Sequence, residues 1–253
     1  MRYGNIYINM NTFEDNDTNL DDDFEFAYDL CQKNHSHSEL IQMLKKGNVA
    51  EKQIAALKLD YVADKNDVIS LLNNLTGCDG KIREAVAFKI NSLLSNKSVQ
   101  ELFAPISAKV FADASIDINA NICRLIVDSA LILKPYAEFS SDYTGYIIKF
   151  INESLGELDK FIFKDKKYVI NKQLFKLYWC LEALTNFYEF VQQEELVNII
   201  RECSKQTEYT IREKVAVILQ TCNLSDDIKT KLMNDENYYV KQILHHPSVF
   251  QKV

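Results

Sequence analysis

The chain has 253 residues, 47% of them hydrophobic, which is enough for a continuous core and excludes a disordered polymer. Six glycines and three prolines are too few for the turns of an all-β or doubly wound α/β fold, which leaves helices joined by short polar links. A net charge of −7, with only five arginines, lacks the basic footprint of a nucleic-acid binder.

The acidity sits at the front. Between Tyr3 and Gln32 there are eight acids and no lysine or arginine, whereas acids and bases balance from Lys33 onward. Residues 1–20 are therefore expected to form an acidic, flexible leader ahead of a single domain spanning 21–253. The stretch "NTFEDNDTNLDDDFEFAYDL" allows two readings. It is a solvated tail whose end starts the first helix, with Asp21, Asp22 and Asp23 as its N-terminal acids. Alternatively, its Phe13, Phe24, Phe26 and Tyr28 make it an acidic–aromatic docking segment or a lid.

Helical phrases follow in alternation. "SHSELIQMLKKG" opens with a capping box, Ser36 to Glu39, and stops at Gly47. "NVAEKQIAALKLDYV" carries an apolar stripe at Ile54, Ala55 and Leu57. "NDVISLLNNLTG" is expected to start at Asn66 and stop at Gly77. "IREAVAFKINSLL" (82–94) places Ile82, Val86, Ile90, Leu93 and Leu94 on one helical stripe. In "SVQELFAPISAKVF", Pro105 is expected to kink or split the helix. "INANICRLIVDSALIL" repeats the stripe at Ile118, Ile122, Leu125 and Ile126, and "SSDYTGYIIKFINESLG" follows it. The segment 156–171, "GELDKFIFKDKKYVIN", breaks the alternation and reads as an extra helix or an irregular insertion. "QLFKLYWCLEALTNF" (Leu177, Leu181, Leu184), "EELVNIIRECSK", "IREKVAVILQTCN" (211–223), "SDDIKTKLMND" and "YYVKQILHH" (Val240, Ile243, Leu244) complete the series.

The phrases at 82 and 211 share five of their first six residues. Marked by the residue equivalent to Ile82, the repeat steps are 36 residues to Ile118 and 29 from Ile211 to Val240. A helix pair cannot bury its stripe alone, but stacking on the next pair does so, and periods near the thirties mean an α-solenoid. "KIREAVAFKI", "TIREKVAVIL" and "YYVKQIL" resemble the first helix of HEAT repeats, most of all the short bacterial type of the phycobilisome-lyase-like group. The resemblance implies an all-α, right-handed α-solenoid of about six stacked HEAT-like helix pairs. It also implies that Arg83 and Arg212 are structural repeat positions, pairing along the stack and covering an inter-layer carbonyl or carboxylate; the alternative is that they are ligand contacts.

Catalytic and metal chemistry find little support. No G-x-S-x-G, Gly-rich phosphate loop or H-E-x-x-H occurs. His35/His37 and His245/His246 lack a third ligand, so no metal and no cofactor are expected. Glu194 and Glu195 open a helix, where acids suit the dipole. Trp179, Tyr178, Phe187 and Tyr188 form the densest aromatic patch, with Glu182 nearby. Core packing is the plainer reading of that patch. An enzyme on a HEAT-like frame, resembling a chromophore lyase or a DNA base-excision glycosylase, is the alternative. The glycosylase form needs phosphate-binding charge that the neutral body lacks.

The preferred expectation is a non-catalytic protein-binding scaffold or adaptor, with a protein or peptide in the concave groove lined by the second helix of each pair. The outward residues there are Tyr146, Lys149, Asn152 and Glu153 on one helix, and Glu194, Asn198, Arg201 and Lys205 on the next. Tyr146, Lys149, Asn198 and Arg201 are the candidate binding residues. Six cysteines without a C-x-x-C pair point to a reduced, cytoplasmic setting. No secretory leader and no apolar run of about 18 residues is present, so neither secretion nor membrane spanning is expected.

Overall fold

The computed structural model describes residues 17–161, 167–222, 224 and 226–245. Among these there are thirteen α-helices and no strand: α1 (Asp17–Gln32), α2 (His37–Lys46), α3 (Val49–Lys58), α4 (Lys65–Leu72), α5 (Gly80–Leu93), α6 (Lys97–Ala114), α7 (Ala120–Leu133), α8 (Ala137–Phe161), α9 (Lys167–Phe187), α10 (Gln193–Cys203), α11 (Tyr209–Thr221), α12 (Asp226–Met233) and α13 (Tyr238–His245). The chain is all-α.

Short polar residues start the helices. Ser36 and Glu39 form a capping box at α2, and Asn48 with Glu51 forms another at α3. The start of α4 differs from expectation: Asp64, not Asn66, is the cap, its carboxylate accepting the Asn66 and Asp67 N–H groups at 2.7 and 3.2 Å. A carboxylate is the stronger acceptor for such orphan donors. α4 ends at Leu72, so Gly77 lies in the loop beyond it, at φ +74°. The leader boundary expected at residue 20 falls inside α1, while residues 1–16 lie outside the described residues. Lys58 of α3 ties α1 down, its ammonium donating to the carbonyls of Leu30, Cys31 and Lys33 at 3.3, 2.6 and 2.5 Å. A cation on these carbonyls at the end of α1 satisfies acceptors that the helix leaves open.

Three further expectations change. α6 runs unbroken through Pro105. Pro105 and Glu101 both face solvent, so water can satisfy the carbonyl that the proline leaves without a donor. The segment expected as an extra helix or an irregular insertion is the continuation of α8 to Phe161 and the start of α9 at Lys167, with 162–166 outside the described residues. Ile118 is not the counterpart of Ile82. It is 81% exposed and precedes α7, whereas Ile122 is fully buried. Asp117 accepts the Asn119 N–H and Asn119 accepts the Asn121 N–H, both at 2.9 Å, and this turn delays the helix by one turn of the stripe. The same turn, Asp235 to Asn237 to Tyr239, precedes Val240. The step from Ile82 is thus 40 residues. Leu57 also leaves the stripe, at 46% exposed, while Ile54 and Ala55 are buried.

The helices pack in two rows. Odd-numbered helices stack on one another, α1 on α3, α3 on α5, α5 on α7, α9 on α11 and α11 on α13. Even-numbered helices do likewise, α2 on α4, α4 on α6 and α6 on α8. One hydrophobic cluster runs from Leu40 to Leu244 between the rows. At its centre is an aromatic ladder from Phe103 through Phe111, Phe139, Tyr143 and Phe187 to Phe190, with successive ring centroids 5.1 to 6.3 Å apart. The Ser115 hydroxyl donates to the Phe111 carbonyl at 2.8 Å, so the buried Tyr143 hydroxyl donates to Ser115 at 2.8 Å. Burial pushes the Tyr143 phenol up, and it stays neutral.

The cysteines are free thiols. Burial pushes Cys123 and Cys203 up to about 12, and raises Cys180 and Cys222 as well. Since the thiolate is the reactive form, native protein treated with Ellman's reagent should titrate Cys31, which is exposed, quickly and the half-buried Cys78 slowly. Cys123, Cys180, Cys203 and Cys222 should react only on unfolding. Prompt reaction of those four in native protein would contradict this packing.

Candidate functional site

Both rows loosen at the same place. α8 and α9 pack closely along their length, but α7 touches α9 only sparsely and α8 touches α10 only sparsely. A cleft therefore opens on each row beside the α8–α9 pair.

The larger, of about 440 Å3, lies between α8 and α10. α8 contributes Asn152 and Leu155; α10 contributes Glu194, Glu195, Asn198, Ile199 and Glu202. The buried Ile199 and half-buried Leu155 give it an apolar floor, and the carboxylates and amides give it a polar rim. Glu194 and Glu195 lie in the first turn of α10, at the positive end of its dipole. They form no ion pair among the described residues, whereas Glu202 shares its charge with Lys205 at 2.6 Å. Among the described residues no lysine or arginine lines the cleft, while three glutamates do.

Of the four candidate binding residues only Asn198 lines this cleft. Arg201 sits beside it on α10 and donates to the Asn198 side-chain oxygen at 3.2 Å. Lys149 is exposed one turn before Glu153, 3.9 Å from its carboxylate. Tyr146, expected to face outward, is half-buried against the hydrophobic cluster, because the stripe of α8 is wide enough to take in its ring. Asn152 and Glu194, both expected on the outer face, do meet here. Leu155, Ile199 and Glu202 carry no sequence signal of their own, and Glu195 reads from the sequence only as a helix-start acid. The adjacent acids at 194 and 195 carried a signal that helix-start propensity accounts for equally well.

The smaller cleft, of about 240 Å3, is lined by Arg124, Val127 and Asp128 of α7 and by Tyr178, Trp179 and Glu182 of α9. Trp179 meets Phe175 and Tyr178 edge-on, with centroids 6.4 and 5.4 Å apart. Lys214 of α11 pairs with Glu182 and lies 4.8 Å over the Tyr178 ring. Burial alone would lower the Lys214 ammonium, but Glu182 outweighs it and lifts it above the ordinary lysine value.

Arg83 and Arg212 both fill their forks with protein. Arg83 Nε and Nη2 meet Asp117 at 2.7 and 3.1 Å, and its Nη1 donates to the Cys78 carbonyl. Arg212 Nε and Nη2 meet Asp235 at 2.7 and 3.0 Å, and its Nη1 donates to the Gln206 and Thr207 carbonyls at 2.8 Å. Each arginine, near the start of one odd helix, thus holds the turn that starts the next. The described histidines have protein partners too. His35 is 3.1 Å from the Leu30 carbonyl, and His245 is 3.2 Å from that of Met233. His37 is 2.8 Å from Asp67 and stacks on Tyr61 with centroids 4.3 Å apart. His246 lies outside the described residues. No group of three or more His, Cys, Asp or Glu residues with metal-binding geometry occurs among the described residues.

No known family model matches the chain, and no curated protein matches it. Among solved structures it is similar to an engineered protein at 13% identity and a TM-score of 0.47, over 84% of this chain and 96% of that one.

Proposed function

We propose that the chain is a non-catalytic binding scaffold, a right-handed α-solenoid of about six HEAT-like helix pairs that holds a segment of a partner protein against its even row. The two-row stacking and the Arg–Asp clamps at Arg83 and Arg212, equivalent positions of two layers, support the repeat reading. The observation that carries the binding reading is the cleft between α8 and α10, with its apolar floor and with Glu194 and Glu195, which form no ion pair among the described residues. Such a cleft fits an extended segment that inserts an apolar side chain and presents lysine or arginine to the rim. Nucleic acid is disfavoured by the same charges. Free thiols at all six cysteines fit a reducing, cytoplasmic setting, and no helix among the described residues is long and apolar enough to cross a membrane.

Selection of displayed random peptides against the full chain tests this. Enriched peptides should combine a basic and an apolar residue. The double variant Glu194→Gln/Glu195→Gln should weaken them about tenfold, the scale of one or two rim charges lost at a partly desolvated site. Enrichment of acidic peptides, or binding indifferent to the double variant, would remove the cleft from consideration.

A further inference from the structure

A second surface lies on the odd row, near the start of α11 and α13. Tyr209, Tyr238 and Tyr239 are 38%, 64% and 60% exposed. Tyr209 and Tyr239 stack at 29° with centroids 6.3 Å apart, and Tyr238 meets Tyr239 edge-on at 5.8 Å. Three phenol rings joined through Tyr239 and left open to solvent are an unusual use of aromatic area, since such rings are normally spent on a core or an interface.

The platform has a rigid base. Asp235 is clamped by Arg212 and accepts the Asn237 N–H at 2.8 Å, and Asn237 in turn accepts the Tyr239 N–H at 2.9 Å. The backbone that carries Tyr238 and Tyr239 is therefore fixed at the start of α13. Carboxylates adjoin the three tyrosines in the chain. Glu208, which accepts the Thr210 N–H at 3.4 Å, precedes Tyr209, and Glu213 lies one turn along α11. Glu236, 90% exposed at its side chain and 3.6 Å from the Arg212 guanidinium, lies two residues before Tyr238. Arg212 is spent on Asp235 as well, and Lys241, one turn along α13, is the other cation in the same stretch.

We propose that these three tyrosines form a docking surface for an arginine-bearing segment of a partner protein. A guanidinium is planar and weakly hydrated, so it stacks on a phenol face while its fork reaches a carboxylate, and both elements stand side by side here. An ammonium takes part in the first interaction less well and cannot fork. A nucleic-acid base would stack equally well, but its phosphates would meet Glu208, Glu213 and Glu236. A second copy of the chain docked by a two-fold axis would set these carboxylates against their own counterparts. This surface is separate from the α8–α10 cleft and does not depend on it.

The test uses fluorescein-labelled peptides of three Arg-Gly-Gly or three Lys-Gly-Gly units, titrated with the full chain by fluorescence polarisation. The arginine peptide should bind, and the lysine peptide should bind about tenfold more weakly. Tyr238→Ser/Tyr239→Ser should lose a similar factor, with an unchanged circular dichroism spectrum because both side chains are exposed. Tyr238→Phe/Tyr239→Phe, which keeps the ring faces, should retain binding, and Glu194→Gln/Glu195→Gln should leave it unaltered. No binding of the arginine peptide overturns the proposal, as does equal affinity for the two peptides. Insensitivity to the serine pair, loss on the Glu194/Glu195 pair instead, or tighter binding of a labelled oligouridine also overturns it. A failure confined to the α8–α10 peptides leaves this result standing, so the two readings fall separately.

Discussion

Arg212→Leu should destabilise the chain by about 3–5 kcal/mol, the cost of leaving one member of a buried ion pair uncompensated. The Arg212 and Asp235 side chains are only 8% and 7% exposed. Removing the guanidinium strands Asp235 and also the Gln206 and Thr207 carbonyls. A second change, Asp235→Asn in the Arg212→Leu background, should recover part of the loss by discharging the stranded carboxylate. Lys149→Ala provides the contrast. Its pair with Glu153 is long and exposed on both sides, so the change should cost well under about 1 kcal/mol. Urea unfolding followed by circular dichroism reads all three, and a loss at Arg212 no larger than at Lys149 would rule out the clamp.

The same pair sets an acid limb. Burial alone would raise the Asp235 carboxyl, but the Arg212 fork and the Asn237 N–H outweigh it and hold it below the ordinary aspartate value. A depressed folded-state value means that the ionised form stabilises the fold. That contribution is complete above the unfolded-state value of about 3.9 and fades as the pH falls through the lower folded value. Stability of the native chain should therefore drop below about pH 4, and Asp235→Asn should flatten that limb while lowering stability at neutral pH.

What the sequence made legible was whatever is decided within one or two helical turns. The Ser36–Glu39 box and the buried stripe of 82–94 depend on spacing alone, and both are present as read. Ile118 was misassigned because Ile118 and Ile122 are four apart and fit the same stripe. Only the turn built by Asp117 and Asn119 decides which of them the helix contains. Pro105 does not split α6, because the cost of a proline depends on whether the carbonyl it strands is wet. The cleft was less legible still. Asn152, Glu194 and Asn198 could be placed on outer faces, but whether those faces meet depends on how far α8 stands from α10. α8 packs densely on α9 and only sparsely on α10, and no short motif encodes that difference. Tyr146 shows the same gap from the other side, since a tyrosine at the edge of an apolar stripe turns in or out according to a neighbour.

The dense α8–α9 contact leads to the other large effect. Phe139 is 1% exposed and lies between Phe111 at 5.9 Å and Tyr143 at 5.5 Å, and Tyr143 in turn reaches Phe187 of α9 at 5.1 Å. Phe139→Ala should cost about 3–5 kcal/mol from lost transfer energy plus the cavity left between rings that cannot all collapse into it. The location of the loss matters as much as its size. Because α7–α9 and α8–α10 are both sparse, the helices before α8 are coupled to those after α9 chiefly through the α8–α9 pair and this ladder. In an array whose layers touch only their neighbours, cooperativity lasts only as long as each coupling exceeds the imbalance between the parts it joins. Trp179 lies in α9 beside the cleft with α7 and is the single tryptophan, so its fluorescence reports on that junction while circular dichroism reports on every helix. The two signals should share one urea midpoint in the native chain and separate in Phe139→Ala. Coincident midpoints in the variant, with a loss below about 1 kcal/mol, would mean that the halves are joined elsewhere and that the ladder is ordinary core.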